Sequence, residues 1–110
     1  MTQKLYVHIG LHKTGSTLIQ NFCTENRNLL ASQGICYPQS ATKWNGHHLL
    51  AWSFGIKHPN YSEADGSTEE LTKAIREEAD GSDILISSED FKFMGALEMK
   101  TLRQNSRSMK

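Results

Sequence analysis

Around Gly15 the stretch HIGLHKTGST (residues 8–17) gathers one lysine, Lys13, and three hydroxyl side chains, Thr14, Ser16 and Thr17, within five residues. Gly10 and Gly15 keep the glycine spacing of the triphosphate loop G-x-x-x-x-G-K-[ST], but Ser16 stands where that loop has its lysine. A glycine-rich turn running from a strand into a helix points several backbone N–H groups at one spot, and the helix dipole adds partial positive charge there. The expected occupant is an anion. Lys13 adds a full charge able to reach a bridging or leaving-group oxygen, and the three hydroxyls add donors.

The elements that must position these groups follow from the apolar pattern. Residues 4–10, KLYVHIG, read as a short buried strand stopped by a glycine. From Ser16 to Gln33 apolar residues recur every three or four positions (Leu18, Ile19, Phe22, Cys23, Leu29, Leu30), which predicts one helix with Gly34 as its C-terminal cap. ICYP, 35–38, predicts a short strand ended by proline. Gln39 to Gly66 is the least regular part and reads as a long functional or mobile loop, with LLAWSFG as one short helix. Ser67 and Glu70 form a capping box before a helix from Thr68 to about Ala79 with Leu71, Ala74 and Ile75 inward, closed by Asp80 and Gly81. DILISS, 83–88, is a second clear strand, and 96–107 a weaker final helix. Alternating strands and helices predict an α/β fold, a parallel sheet with flanking helices and right-handed crossovers, as a single domain over residues 1–110. Ligands in such sheets bind at the carboxyl ends of the strands, which brings residues 10–17 and 87–91 to one rim.

Composition narrows the function classes. A chain of 110 residues sustains one modest core. Twelve Lys and Arg balance twelve Asp and Glu, so no global field favours nucleic acid or an anionic membrane. Eight of the acids fall between Glu63 and Asp83, and five basic residues fall between Lys92 and Lys110; both runs read as solvated faces. No apolar run approaches the roughly 18 residues of a membrane helix, and Cys23 and Cys36 have neither disulfide-framework nor metal-ligand spacing. A cytoplasmic protein with reduced thiols is the expectation.

HIGLHKTGSTLIQ (8–20) resembles the 5'-phosphosulfate loop of the sulfotransferases that use 3'-phosphoadenosine 5'-phosphosulfate, where a strand ends in a Lys-[TS]-Gly-[TS]-[TS] turn with the lysine ahead of the glycine. ILISSEDF (84–91) is similar to the later strand of bacterial members, whose end carries substrate-side residues. The resemblance implies a P-loop-like sulfotransferase fold in which Lys13 contacts the oxygen between phosphate and sulfonate while Thr14, Gly15, Ser16 and Thr17 hold the 5'-phosphate. Sulfonate would pass to a hydroxyl or amine acceptor. That transfer needs a general base and a cation for the leaving phosphate, but no metal. The base, a histidine or glutamate at a strand end in related enzymes, falls by position on Glu89, with His47 and His48 as rivals because histidine titrates near neutral pH. Asp90 reads as an N-cap. Trp44 and Trp52 either shape an acceptor pocket or pack the core.

The resemblance covers only the N-terminal part of a sulfotransferase domain. The family's arginine and serine for the 3'-phosphate follow a further strand, and no strand-like run follows here, so the chain is expected to be the N-terminal part of such a domain, a truncated product or fragment. Two other readings stay open. One is a P-loop kinase or other nucleotide-triphosphate-binding protein, with Thr17 near a metal and Glu89 in place of the usual aspartate. The other is a non-catalytic fragment that binds a partner through an unpaired sheet edge.

Overall fold

A computed structural model describes residues 3–9, 16–55 and 58–93, with the backbone alone at Ser16, Lys92 and Phe93. Lys13, Thr14, Gly15 and the expected helix over 96–107 lie outside the described residues.

Three parallel strands form the sheet: β1 (Leu5–His8), β2 (Ile35–Cys36) and β3 (Asp83–Ser87), in the order β1-β3-β2. β3 is central. Leu5 faces Ile84, Val7 faces Ile86 and His8 faces Ser87, while Cys36 faces Ile84 from the other side. The central strand of a parallel sheet is covered on both faces and so reads as an unbroken apolar run, as DILIS does. Four helices connect the strands: α1 (Ser16–Glu25), α2 (Arg27–Ser32), α3 (His48–Trp52) and α4 (Thr68–Ala79). Single 3-10 turns lie at Glu63–Asp65 and Glu89–Phe93. The crossover from β1 to β2 runs in the opposite direction to the one from β2 to β3, so right-handed connections put α1 and α2 on one face and α3 and α4 on the other.

The core lies on the α3/α4 face. Ile84 and Ile86, alternate residues of β3, pack with Leu50, Ala51 and Trp52 of α3, with Leu71, Ile75 and Ala79 of α4, and with Ala41 and Phe91; Leu5, Val7 and Cys36 join from the flanking strands. The helix α4, which supplies Leu71, Ile75 and Ala79 to this cluster, begins as expected. Ser67 Oγ accepts the Glu70 N–H at 3.2 Å, Glu70 Oε1 accepts the Ser67 N–H at 3.1 Å, and Asp80 leaves the helix with φ +47°. Within the anticipated loop over 39–66 the expected short helix forms as α3, and it contributes three of the most buried side chains, Leu50, Ala51 and Trp52.

On the opposite face the anticipated single helix breaks at Asn26. Its side-chain Nδ2 donates to the Phe22 carbonyl at 2.8 Å, and its backbone N–H is shared between the carbonyls of Phe22 and Cys23. A side-chain amide that captures a helix carbonyl competes with the regular ladder, which is the physical reason for the interruption. The apolar periodicity does not face inward here. Leu18 is 74 % exposed and Phe22 53 %, whereas Gln20 is 2 % exposed and Cys23 is buried. Both cysteines are free thiols, and burial raises the pKa of each. Among the described residues no helix is long and apolar enough to cross a membrane.

Candidate functional site

The carboxyl ends of β1 and β3 lie side by side. His8 is opposite Ser87, and the Ser88 N–H donates to the His8 carbonyl at 3.1 Å. The chain returns from β1 as α1 at Ser16, so the N-terminal turn of that helix, with Thr17 exposed, opens next to the same rim. The residues between, 10–15, carry Lys13, Thr14 and Gly15.

One turn into α1, Gln20 reaches across to β3. Its Nε2 donates to Ser87 Oγ at 3.1 Å and to Glu89 Oε1 at 3.3 Å, and Ser87 Oγ also hydrogen-bonds His8 Nδ1 at 2.9 Å. A buried amide bonded to Ser87 and Glu89 at the tip of β3 fixes the start of the 3-10 turn that carries Glu89, itself half-buried. Sequence reasoning missed Gln20. The available signal was a polar residue between apolar Ile19 and Phe22, in a helix whose other face had no assigned partner.

The two adjacent histidines have different roles. His47 is fully buried. Its Nδ1 accepts the Ser87 N–H at 3.0 Å, which leaves the ring proton on Nε2, and Nε2 donates to the Pro38 carbonyl at 2.8 Å. Its backbone N–H donates to the Ser87 carbonyl at 2.7 Å. Burial drives its pKa down to about 4, against the opposing effect of the Pro38 bond. With both ring nitrogens occupied and the ring neutral, His47 braces the end of β2 against β3.

His48 lies closer to the rim. Its Nδ1 hydrogen-bonds Ser88 Oγ at 2.6 Å, and Ser88 Oγ accepts the Asp90 N–H at 3.1 Å. Burial lowers its pKa, while the nearby Glu89 and Asp90 carboxylates pull the other way. Its ring stacks on Trp52, whose other stacking partner is His58 at 3.8 Å between centroids. The Asp90 carboxylate, expected as a helix cap, instead accepts the Trp52 Nε1–H at 2.6 Å.

Gly46 locks these pieces together. A Cβ there would sit 2.6 Å from His48 Nε2 and 2.9 Å from the Gln20 side-chain oxygen, so only glycine lets the 43–46 turn pass between them.

The arrangement thus brings Thr17, Gln20, Ser87 and Glu89 to one rim with His48 behind, and removes His47 from proton chemistry. Gln20 Nε2 contacts the Glu89 carboxylate at 3.3 Å without neutralising its charge. Among the described residues no group of three or more His, Cys, Asp or Glu side chains is arranged to hold a metal ion. No family model, curated protein or solved structure matches this chain.

Proposed function

We propose that the chain is a sulfotransferase-like nucleotide-binding unit that grips the 5'-phosphosulfate end of 3'-phosphoadenosine 5'-phosphosulfate at this rim and serves sulfonate transfer to a hydroxyl or amine. In the transfer, Glu89 takes the proton of the acceptor O–H or N–H while the acceptor atom bonds to sulfur. The bond from sulfur to the phosphate oxygen breaks, and the 3',5'-bisphosphate leaves with its new charge facing Lys13. The hydroxyls of Thr14, Ser16 and Thr17 and the amides at the start of α1 hold the phosphate. The free thiols suit a reducing, cytoplasmic setting.

The observation that supports this reading most is the junction at Gln20. The helix that begins at Ser16, next in sequence after Lys13, Thr14 and Gly15, also holds Glu89 at the tip of β3, so a helix start and a carboxylate share one rim. Thermal-shift titration tests it. The bisphosphate product should stabilise the protein without magnesium, and Lys13→Ala should weaken its binding by about 10- to 150-fold, the loss of one charged contact worth roughly 1.5 to 3 kcal/mol. Stabilisation by ATP with magnesium and none by the bisphosphate would favour the nucleotide-triphosphate reading instead.

A further inference from the structure

Beside the rim stands a side chain that the proposed transfer does not use. Lys43 and Gly46 close a two-residue hairpin turn, Lys43 N–H donating to the Gly46 carbonyl at 2.8 Å and Gly46 N–H to the Lys43 carbonyl at 3.2 Å. Both central residues have positive φ, Trp44 at +55° and Asn45 at +68°. Turns of this kind favour Asn-Gly, and a bulky aromatic residue at the first position is held in a conformation its side chain disfavours. Packing does not compensate. Trp44 is 63 % exposed, the most open aromatic ring among the described residues.

The ring is nevertheless fixed. Trp44 meets Trp52 edge-on at 6.2 Å and His48 at 6.3 Å, and both of those rings are buried beneath it. The turn is tied down where Tyr37 Oη donates to the Asn45 carbonyl at 2.6 Å and Asn45 Nδ2 donates to Asn21 at 2.8 Å. Gly46, at the end of the same turn, is the residue wedged against His48 and the Gln20 that holds Glu89. A strained, exposed and pre-positioned indole lying over His48 at the rim is better suited to meeting a ligand than to stabilising the fold.

We infer that Trp44 is a stacking platform for a sugar ring, so that the ligand entering beside Glu89 is a glycan. A phenolic or steroid ring would require apolar walls, whereas the groups around Trp44 that reach solvent are polar: the Lys43 ammonium, 5.9 Å over the ring centre and donating to the Asn60 carbonyl at 3.3 Å, and the Asn45 amide. An indole face presents negative charge to the slightly positive C–H face of a pyranose, and amide and ammonium groups exchange hydrogen bonds with its hydroxyls. As the acceptor of the transfer, the glycan depends on the function proposed above. As a binding surface, it depends only on the turn.

The test is tryptophan fluorescence and saturation-transfer NMR on the full chain with cellotriose, maltotriose, chitotriose and a heparin-derived tetrasaccharide, and with 4-nitrophenol as the non-sugar ring. At least one oligosaccharide should bind at millimolar concentration or below. Trp44→Asn, which suits a positive φ, should weaken that binding by at least about tenfold while the melting temperature holds or rises, and Trp44→Phe should keep part of the affinity. Three results would overturn the inference: no oligosaccharide binds, Trp44→Asn binds as well as the parent, or Trp44→Asn unfolds and so marks the ring as structural. Preference for 4-nitrophenol over every sugar would also reject a glycan. Bisphosphate affinity should be the same in Trp44→Asn, and a parent protein that binds a glycan but not the bisphosphate would keep this site while removing the transfer function.

Discussion

The two faces of the sheet are built differently. On the α3/α4 face, Ile84 and Ile86 are shut away by Leu50, Trp52, Leu71 and Ile75, and the contacts are apolar throughout. On the α1/α2 face, the helix turns Leu18 and Phe22 outward and commits a buried glutamine to the sheet. The first face supplies the burial that holds the strands in register. The second uses that fixed frame to present polar groups, His8, Gln20, Ser87 and Glu89, at the strand tips. A small domain has little apolar area to spare, and here it is concentrated on one side of β3 while the other side carries the hydrogen-bonded groups.

Mutations should separate the faces by the size of their effect. Ile84→Ala should cost about 2 to 5 kcal/mol in urea unfolding, because it opens a cavity in a closed core, whereas Leu18→Ala should stay within about 0.5 kcal/mol. A large loss at Leu18 would show that the α1 face is covered in solution and would end the contrast.

Acid should act next, at the seam between the faces. His47 is neutral when folded, with a pKa near 4 against the ordinary 6.5, so between those values the unfolded chain binds a proton that the folded chain refuses. Stability is therefore full above pH 6.5 and falls as the pH drops toward 4, by about 3 kcal/mol at 1.36 kcal/mol per unit. His48, shifted the same way, adds to the loss. Unfolding followed across this range should show the decline in the parent and a shallower one in His47→Gln.

Gly46→Ala joins the two regions and should cost about 1 to 3 kcal/mol, since the added methyl must displace His48 or Gln20. If Gln20 moves, the amide signals of Ser87 and Glu89 should shift with it. Ser67→Ala should cost about 1 kcal/mol, from loss of the N-cap on the core-side helix.

These differences also explain which parts were legible in the sequence. The helix expected over 68–79 and the strand expected over 83–88 carry local signals, a capping box and an apolar run; the helix appears with those ends, and the strand starts at Asp83 as expected and ends one residue early, at Ser87. The parallel sheet followed from strand and helix alternation; the order β1-β3-β2 did not. The orientation of α1 did not, because periodicity reports that a helix has two faces and not which one meets the sheet. Gln20 is buried because its amide finds Ser87 and Glu89, partners 67 and 69 residues away. The separate fates of His47 and His48 depend likewise on Pro38, Ser87 and Ser88, contacts that only the folded chain brings together.

The most direct measurement of the central claim is amide NMR of the full chain titrated with 3'-phosphoadenosine 5'-phosphate in the absence of magnesium. The account predicts saturable shifts at Thr17, Gln20 and Ser87 to Glu89, on the strand-tip rim, with Gly34, Gly81 and Ser82 at the opposite end of the sheet unchanged. Shifts confined to that opposite end, or none at all, would contradict it.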